Sequence, residues 1–310
     1  MGLWEKLFGS TTEQVEVRQT ANEDVLLQAL VGGSKVTKED ALNIPALAAC
    51  VDLISDTVAS LPIKLYKESN QSVEEIKDNR VVLLNDETKD TLDGFQFKKA
   101  LITDYLLEGA GYAYINRKRN EVASLHYVPK QDVTVMAGMG KIFKSYDITV
   151  DSKTYRDFEF LKLARKTVDG VTGKGIVDEH NKLLSVVYNT LIYEELLVKT
   201  GGNKKGFLKA QNRLSPEAIT ELKTAWARLY QNNSENVVVL NNGLEFEEAS
   251  STSVEMQLNE NKRTNADEIY KIFKLNGNTL DENSIKSAIM PILKAFETAL
   301  NKDLLLPSEK

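Results

Sequence analysis

Two short stretches of the chain combine glycine with lysine, the residue types that cradle phosphate in nucleotide-hydrolysing enzymes. They are residues 173–175 (Gly-Lys-Gly) and residues 201–206 (Gly-Gly-Asn-Lys-Lys-Gly). A phosphate-binding loop follows the pattern GxxxxGK with Ser or Thr next, and neither stretch has that spacing. Glycine is common at the C-terminal end of a helix for conformational reasons alone. We interpret both stretches as flexible joints at helix ends.

The chain has two histidines and one cysteine. His126 lies in a predicted strand and His180 near the beginning of a predicted helix, and neither has a partner at metal-binding spacing. Cys50 falls on the apolar face of a predicted helix, where it acts as a small buried hydrophobe. Adjacent carboxylates at 194–195 and 247–248 do not face each other on a helix. The sequence therefore predicts no catalytic residue, no metal site and no cofactor, and hence no enzyme.

The composition is that of a folded protein with an acidic balance. Of 310 residues, 42% are hydrophobic and 27% charged, and the formal net charge is −6. Proteins that grip duplex DNA usually carry a concentrated basic surface. A conduit for DNA must instead avoid accumulating phosphate contacts, because each one adds affinity through counterion release. The charge therefore disfavours specific DNA binding and is compatible with a channel.

The chain shows no signal for a membrane or for secretion. No apolar run approaches the roughly 18 residues of a membrane span. Residues 1–8 are briefly amphipathic but lack the apolar stretch of a secretory signal. A single cysteine cannot form an internal disulfide, so we expect a reducing cytosol, including that of a host cell.

Hydrophobic periodicity predicts an α+β domain over residues 36–168, after a polar arm (1–35) with one short helix, Glu23–Leu30. One helix is predicted from an Asn43 N-cap to Pro62, and a second from Asp93 to Gly109. The apolar face of the first helix is Leu47, Cys50, Val51, Ile54, Val58 and Leu61. The predicted strands are Ile63–Tyr66, Tyr112–Asn116, Ala123–Val128, Asp132–Met136, Phe143–Val150 and Phe158–Leu163.

Two long helices bracket a small unit in the second half of the chain. The first is predicted over Ile176–Lys199, and the second begins near Ser253 with a half, Gln257 to Asn265, that is polar nearly all round. Between them we expect a strand at Phe207–Lys209, a helix capped by Ser215 and a hairpin at residues 241–243. The face of that middle helix is Ile219, Leu222, Trp226 and Leu229. A loop and a last helix, Ser284 to about Leu304, complete the pattern.

Four stretches in order resemble the HK97-type portal proteins of tailed bacteriophages. They are residues 46–62 with the strand ending at Tyr66, residues 107–115 leading to Val128-Pro129, residues 206–208 with 214–217 and 238–244, and residues 254–260 running on to Phe273. The first is similar to the family's "lia..ia.lp..ly" signature. Two departures stand out: Lys274–Leu280 replaces the usual "VPP.LLG"-like stretch, and the sequence stops soon after Leu305, where relatives continue into a crown.

The resemblance implies a portal-like α+β fold with a mixed wing, two long stem helices, a small α/β clip and a C-terminal helix. The implied segments are a flexible arm (1–35), the wing (36–168), a joint with the first stem helix (169–202), the clip (203–250), the second stem helix (251–275), a tunnel loop (276–283) and an inner helix leading to a truncated or minimal crown (284–310).

The resemblance also assigns roles to residues. The tunnel loop, which carries two acidic residues and no Lys or Arg, would meet passing DNA through Asn276, Gly277, Asn278, Thr279, Leu280, Asp281, Glu282 and Asn283. The stem would line the channel or meet neighbouring subunits through Gln257, Glu260, Asn261, Lys262, Arg263 and Asn265. The clip helix would pack through Ile219, Leu222, Trp226 and Leu229.

The implied function is a subunit of a ring of about twelve copies at one capsid vertex, through which DNA is packaged and ejected. Its implied partners are its own copies, the large terminase subunit, the major capsid protein, a head–tail connector and double-stranded DNA without sequence specificity, with no membrane. It would reside in the virion, and in the host cytoplasm during assembly. The alternative is a prophage-derived interaction protein that keeps the fold without a working channel.

Overall fold

The computed structural model describes residues 35–309 apart from residues 70–71, 139, 141, 143, 200–205, 211–214, 217, 221–223, 225–243 and 249–251. The predicted arm with its helix Glu23–Leu30 and the predicted hairpin at residues 241–243 lie outside the described residues.

Two helices in succession open the described chain. α1 (Lys38–Leu42) is capped by Thr37, whose hydroxyl accepts the N–H of Asp40 while the Asp40 carboxylate accepts the N–H of Thr37. α2 (Pro45–Ser60) follows directly. The prediction that Asn43 caps this long helix is wrong, because Asn43 ends α1 and its N–H bonds to the carbonyls of that helix.

A two-stranded hairpin and a short helix come next. β1 (Leu65–Ser69) pairs antiparallel with β2 (Ser72–Ile76), and α3 spans Asn79–Asn85. The predicted strand began at Ile63 and is wrong there, because the side-chain amide of Asn85 bonds both backbone groups of Ile63 (2.9 and 2.7 Å). β2 escaped prediction because it is exposed along its whole length, so its sequence needs no apolar alternation.

The apolar face of α2 packs against α4 (Gly94–Leu107) at the centre of the main core. The predicted face is buried except for Leu61, which follows the helix and remains 40% exposed. As predicted, α4 begins after Asp93, whose carboxylate accepts the N–H of Gln96 (2.7 Å). Burial of apolar side chains is the main favourable contribution to folding, so this pair of helices forms the base on which the other elements assemble.

A buried carboxylate on α4 ties three separate segments to this core. The Asp104 side chain is 1% exposed and accepts hydrogen bonds from the Lys38 ammonium, the Tyr127 hydroxyl (2.7 Å) and the N–H of Lys130 (3.3 Å). Burial opposes the charge on Lys38, but the hydrogen bond and charge of Asp104 outweigh it and raise the pKa of Lys38. Leaving the buried Asp104 carboxylate without partners would be strongly destabilising. The three hydrogen-bond donors therefore hold their segments against α4.

Two three-stranded antiparallel sheets pack together beside the helices, with strand orders β4-β3-β8 and β5-β6-β7. The strands are β3 (Ala110–Lys118), β4 (Glu121–Val128), β5 (Thr134–Ala137), β6 (Tyr146–Val150), β7 (Lys153–Arg156) and β8 (Phe160–Ala164). Ile115 and Leu125 of the first sheet join the helical core. Tyr112 and Phe160 face the other way and pack with Ile148 of the second sheet. The predicted period of two is therefore confirmed.

Three further predicted strands begin later in the structure than the sequence indicated. The strand predicted from Asp132 begins at Thr134, because Lys130–Asp132 form a 3₁₀ turn. The strand predicted from Phe158 begins at Phe160, because Asp157–Glu159 form another such turn. The strand predicted from Phe143 begins at Tyr146.

The glycines of residues 173–175 are required by packing, not by flexibility as predicted. The N–H of Lys174 bonds to the carbonyl of Arg165 (2.9 Å), whose own N–H bonds to the carbonyl of Gly109 (2.8 Å). A Cβ placed on Gly173 would lie 1.9 Å from that Gly109 oxygen. The two backbones therefore cross at a distance that no side chain permits.

The single helix predicted over Ile176–Lys199 is wrong at one point. The structure has α5 (Ile176–Glu179) and α6 (Asn181–Lys199), and His180 between them adopts φ −115° and ψ 23°, outside the helical range. The side chain of Asn181 donates to the carbonyl of Val36 (3.2 Å). One non-helical residue therefore separates the two helices, and α6 remains on the main core through the buried Leu184.

The rest of the described chain includes a strand pair and two long helices. β9 (Gly206–Ala210) confirms the predicted strand and pairs antiparallel with β10 (Leu244–Glu248). α7 spans Thr252–Ile272, about 32 Å at 1.5 Å per residue. The last helix is continuous in three parts, which are α8 (Glu282–Ser284), a π turn (Ile285–Ile289) and α9 (Met290–Asp303).

The backbone crossing gives a first prediction. Gly173→Ala should destabilise the protein by about 3 kcal/mol, at the upper end for overpacking, because the contacting atom is a backbone oxygen that cannot move aside. Gly170→Ala is the matched control: Gly170 has φ +74° but open space around its Cβ position, so only a left-handed penalty of roughly 1 kcal/mol applies. If chemical denaturation showed the same loss in free energy of unfolding for Gly173→Ala and Gly170→Ala, the backbone crossing would be contradicted.

Candidate functional site

The second long helix, α7, divides into an anchored half and a polar half. At its C-terminal end, Ile269 and Phe273 are 1% and 4% exposed and belong to the main core with α2. Towards its N-terminus, Glu260 and residues 261–264 are exposed and Asn265 is half-buried. Gln257 lies in the helix, with its side chain outside the described residues. The predicted stem residues thus share a polar segment that leaves the core.

An ion pair joins the two long helices. The Lys262 ammonium lies 2.5 Å from the Glu194 carboxylate of α6. Lys262 is about half exposed, so the pair contributes at most about 1 kcal/mol, but it aligns the two helices side by side. Sequence inspection missed it because Glu194 has no local signal for a partner so distant along the chain.

α7 ends in a tight reversal. The N–H of Leu275 bonds to the carbonyl of Tyr270 (2.9 Å) and that of Lys274 to the carbonyl of Lys271 (3.0 Å). This is the pattern in which a glycine usually takes the left-handed position, yet Lys274 occupies it with φ +58°. Leu275 is buried directly afterwards, which fixes the direction in which the chain leaves the helix.

The predicted tunnel loop, 276–283, is shorter in the structure and is a defined turn. Asn276 and Thr279 form a bridge, the Thr279 hydroxyl donates to the Asn276 carbonyl (2.8 Å), and Gly277 has φ +65°. The Asp281 carboxylate accepts the N–H of Ser284 (2.7 Å) and so caps the next helix. The prediction that Glu282 and Asn283 belong to the loop is therefore wrong, because they form its first turn.

Both acidic side chains near this turn are engaged within the chain. The hydrogen bond from Ser284 lowers the pKa of Asp281. Glu282 pairs with Lys286 one helical turn later (2.5 Å). The tip itself, residues 277–279 with half-buried Leu280 behind it, carries no formal charge. A phosphate passing the tip would meet neutral polar groups.

A π turn separates the tip from the body of the last helix. Over Ile285–Ile289 the helix widens, leaving Ile285 42% exposed while Ala288 and Ile289 are buried. Such turns insert one extra residue and often occur at functional sites. About two turns further along, Phe296 of the same helix is buried in the main core.

Two arginines hold the C-terminal end of this helix against the sheets and α3. Arg117 of β3 donates to the carbonyls of Asp303 and Phe158 (2.7 Å to the latter). Arg80 of α3 donates to the carbonyl of Leu304 (3.2 Å) and is held by Glu309 (2.7 Å) and by the neighbouring Asp78. Cations suit the exposed carbonyls at the end of a helix. The last helix is thereby fixed at the end opposite the turn.

A buried lysine lies at the same junction. The Lys162 ammonium donates to the carbonyl of Gly170 (2.6 Å) and lies 3.6 Å from the centre of the Tyr146 ring. Its backbone N–H donates to the Asp303 carboxylate (3.2 Å). Burial first, and then the charge of Lys302, lowers the pKa of Lys162 to about 8. The interior therefore disfavours the charged form despite these contacts.

His126 has partners that the sequence did not reveal. Its Nε2 lies 2.8 Å from the hydroxyl of Ser124 and its Nδ1 3.2 Å from Asp90. An Asp–His–Ser series of contacts also occurs in serine hydrolases, but those enzymes need an accessible serine hydroxyl and oxyanion donors beside a cleft. Ser124 is 6% exposed and already accepts a hydrogen bond from Asn116 (2.9 Å). The chain of bonds instead fastens β4 to the loop that holds Asp90.

The predicted packing residues of the clip helix are described only in part. Ile219 is 42% exposed, while Leu222, Trp226 and Leu229 lie outside the described residues. The hydroxyl of Ser215 accepts the N–H of Ala218 (3.2 Å), which confirms the predicted cap.

In the described part of the chain, no cluster of three His, Cys, Asp or Glu side chains is placed to hold a metal ion. No helix there has the length and apolar character to cross a membrane.

Comparisons with known proteins match the same family, the phage portal proteins, along most of the chain. A family model described as phage portal protein matches residues 45–310. A probable portal protein of Streptomyces phage phiC31 is 21% identical over 294 residues, which cover 88% of this chain and 64% of that protein. The chain thus spans under two thirds of the length of this curated relative.

Solved structures share the fold at low sequence identity. A crystal structure of an HK97 family phage portal protein from Corynebacterium diphtheriae has a TM-score of 0.65 at 16% identity, covering 88% of this chain and 92% of that one. The neck of an empty gene transfer agent particle, computed with C6 symmetry, gives a TM-score of 0.62 at 18% identity, covering 89% and 82%. The mixed helix-and-sheet architecture is therefore that of HK97-type portal proteins.

The buried lysine gives a second prediction. Because the pKa of Lys162 is about 8 in the folded protein and about 10.4 in an unfolded chain, the unfolded state binds more protons between these values. Stability should therefore rise with pH across this window. Relative to Lys162→Met, the wild-type free energy of unfolding should gain on the order of 2 kcal/mol from pH 7 to pH 9.5. If urea titrations showed that the difference in free energy of unfolding between the wild type and Lys162→Met does not change with pH, the lowered pKa of Lys162 would be contradicted.

Proposed function

The chain belongs to the phage portal protein family, and from this membership we propose that it is one subunit of a ring-shaped channel at a capsid vertex, through which DNA is packaged and ejected. The observation that carries the proposal is the polar half of α7, which lies N-terminal to the buried Ile269 and outside the core. A helix that is polar nearly all round is not packed in an ordinary core. Copies of it around a wet channel need no apolar face to bury.

The exposed stem residues are suited to repeated contacts around an axis. Glu260 carries one sign of charge and Arg263 the other, and both are exposed, while Lys262 beside them is paired with Glu194 of the same chain. In a ring, each subunit presents one surface to one neighbour and a different surface to the other. We propose that this polar half lines the channel or meets the adjacent copy, in a ring of about twelve copies.

We assign the remaining segments by the same premise. Residues 36–168 form the wing, residues 169–202 the joint and first stem helix, and residues 203–250 the clip. The clip receives the large terminase subunit and later a head–tail connector, and the wing faces the major capsid protein. The protein acts in the virion, after assembly in the host cytoplasm, and has a structural role without a catalytic step.

The turn at residues 276–279 is the proposed point of contact with passing DNA. Its tip is neutral and exposed at Asn278, so it adds no phosphate neutralisation. Since every neutralised phosphate increases affinity, a neutral tip lets the duplex slide. The acidic groups behind it serve capping and pairing, so guidance depends on shape more than on repulsion.

This proposal gives a third prediction, on Asn278. Asn278→Lys should leave ring formation intact and reduce nuclease-protected DNA per particle severalfold in a packaging assay, because the repeated cations grip the backbone. Raised salt should restore packaging, since the added affinity is electrostatic.

The matched control is Asn278→Gln, which keeps the charge and should package as wild type does. Normal packaging by the lysine variant at every salt concentration would remove the turn from the DNA path. A wild-type protein that never supports packaging would favour an interaction protein that keeps the fold without a channel.

A further inference from the structure

An apolar groove of about 360 Å³ lies between the end of α2, β1, α3 and α9. Leu61 and Met290 line it and remain 40% and 53% exposed, and the buried Phe296 lines it as well. Covering exposed apolar surface is favourable, and contiguous apolar surface on a folded protein marks a contact with another molecule. The groove is therefore a candidate docking surface.

One wall of the groove is a hairpin that lacks support from its own chain. Leu65 of β1 lines the groove, and Ile76 opposite it on β2 is 36% exposed. Among the described residues, no side chain of β1 or β2 belongs to either apolar core. A two-stranded hairpin is marginally stable unless it packs against something else. A group seated in the groove would supply this contact.

Two exposed lysines border the groove and set the charge that an occupant should carry. Lys64 pairs with Glu75 (2.9 Å), and Lys294 pairs with Glu297, which also lines the groove (2.9 Å). All four side chains are 47% to 74% exposed, and exposed pairs of this kind contribute little to stability. Arg80 lines the groove too, but two carboxylates already hold it. The matching occupant is an apolar side chain flanked by acidic groups.

The 3₁₀ turn between β7 and β8 presents such a group. Phe158 is 63% exposed and lies between the carboxylates of Asp157 and Glu159. The backbone of the turn is fixed at two points. Arg117 donates to the carbonyl of Phe158 (2.7 Å), and the Glu159 carboxylate accepts the N–H of Arg156 (2.8 Å). The turn is therefore a rigid apolar projection with acidic flanks.

Other strongly exposed apolar side chains lack this setting. Ile142 is 85% exposed, but Lys141 precedes it and would meet the lysines of the groove with like charge. Val168 is 94% exposed, but its own loop engages the carboxylate of the neighbouring Asp169 through two backbone N–H groups. Charge complementarity thus favours the turn that carries Phe158.

The groove and the turn are two different surfaces of one subunit. Phe158 does not line the groove of its own chain. A contact between different surfaces of two copies repeats head to tail, and it closes into a ring when the rotation per copy allows. Both surfaces are tied to α9, since Met290 begins this helix and Arg117 bonds both the Asp303 carbonyl at its end and the Phe158 carbonyl. One helix therefore fixes their relative position.

We propose that Phe158 of one copy inserts into the groove of the next copy, where Asp157 and Glu159 meet Lys64 and Lys294. This contact rests on the proposed ring and names one of the interfaces that hold it together. The inserted turn also covers the groove-facing side of the β1–β2 hairpin, which therefore gains its support in the assembly.

Removing the aromatic ring tests the contribution of the turn. Phe158→Ala should raise the protein concentration at which rings appear by roughly tenfold or more, as is usual when an aromatic anchor is removed from an interface pocket. Since Phe158 is exposed in a single chain, thermal unfolding of the dilute protein should not change. Val168→Ala is the matched control and should assemble as wild type does. Light scattering and electron microscopy across a dilution series measure the assembly.

A cysteine pair tests the contact itself. Burial raises the pKa of the native Cys50 thiol to about 12, so this thiol stays unreactive and the wild type is a control. Asp157→Cys combined with Lys294→Cys should give, under mild oxidation, a ladder of covalent multimers larger than dimers on a denaturing gel. Each copy then offers one cysteine to each neighbour. Either substitution alone should give no ladder.

The remaining outcomes separate this contact from the channel proposal. Cross-links that stop at dimers would show a reciprocal pair of copies, and a disulfide within one chain would place the turn on its own groove; both results overturn the contact. Rings that form normally with Phe158→Ala and never cross-link would overturn this contact and leave the channel proposal intact. Wild-type monomers at every concentration, with and without capsid protein, would contradict both.

Discussion

The burial of Ile269 and Phe273 against α2 is the contact on which the rest of the candidate site depends. It fixes the C-terminal half of α7 while the polar half continues outward. The reversal at Lys274, the turn at residues 276–279 and the cap at Asp281 then follow within a few residues. Because both flanking helices are held by buried apolar side chains, the turn is presented at a defined position.

The opposite end of the last helix is held by polar contacts instead. Arg117 and Arg80 bond its final carbonyls, and the Lys162 backbone bonds Asp303. Buried polar groups stabilise only while every partner is present, so these contacts specify one arrangement more than they add stability. The tight backbone crossing at Gly173 also specifies a single arrangement, because it leaves no room for a side chain. Helix and sheet are thus joined as a rigid scaffold for the turn.

Local signals in the sequence predicted local features well. The apolar face of α2, the Asp93 cap and the alternation in β3 and β4 depend on residues a few positions apart. The pairs Glu194–Lys262 and Asp90–His126 could not be predicted, and Arg117 meets Asp303 across 186 residues. No glycine marks the reversal at Lys274, so the sequence does not predict it. The predicted loop is two residues too long because Asp281 caps the next helix, which therefore begins at Glu282. The stem and turn assignments depend on family resemblance, since a polar half-helix alone has several explanations.

We propose that the polar half of α7 is exposed in a single chain because it lines a ring or meets a neighbouring copy there. Mass measurement and electron microscopy of the purified protein, across concentration and with capsid protein added, test it most directly. The account predicts closed rings with a central hole, in which the segment around Glu260–Asn265 faces the channel or the adjacent subunit. Monomers at every concentration, with and without capsid protein, would contradict it.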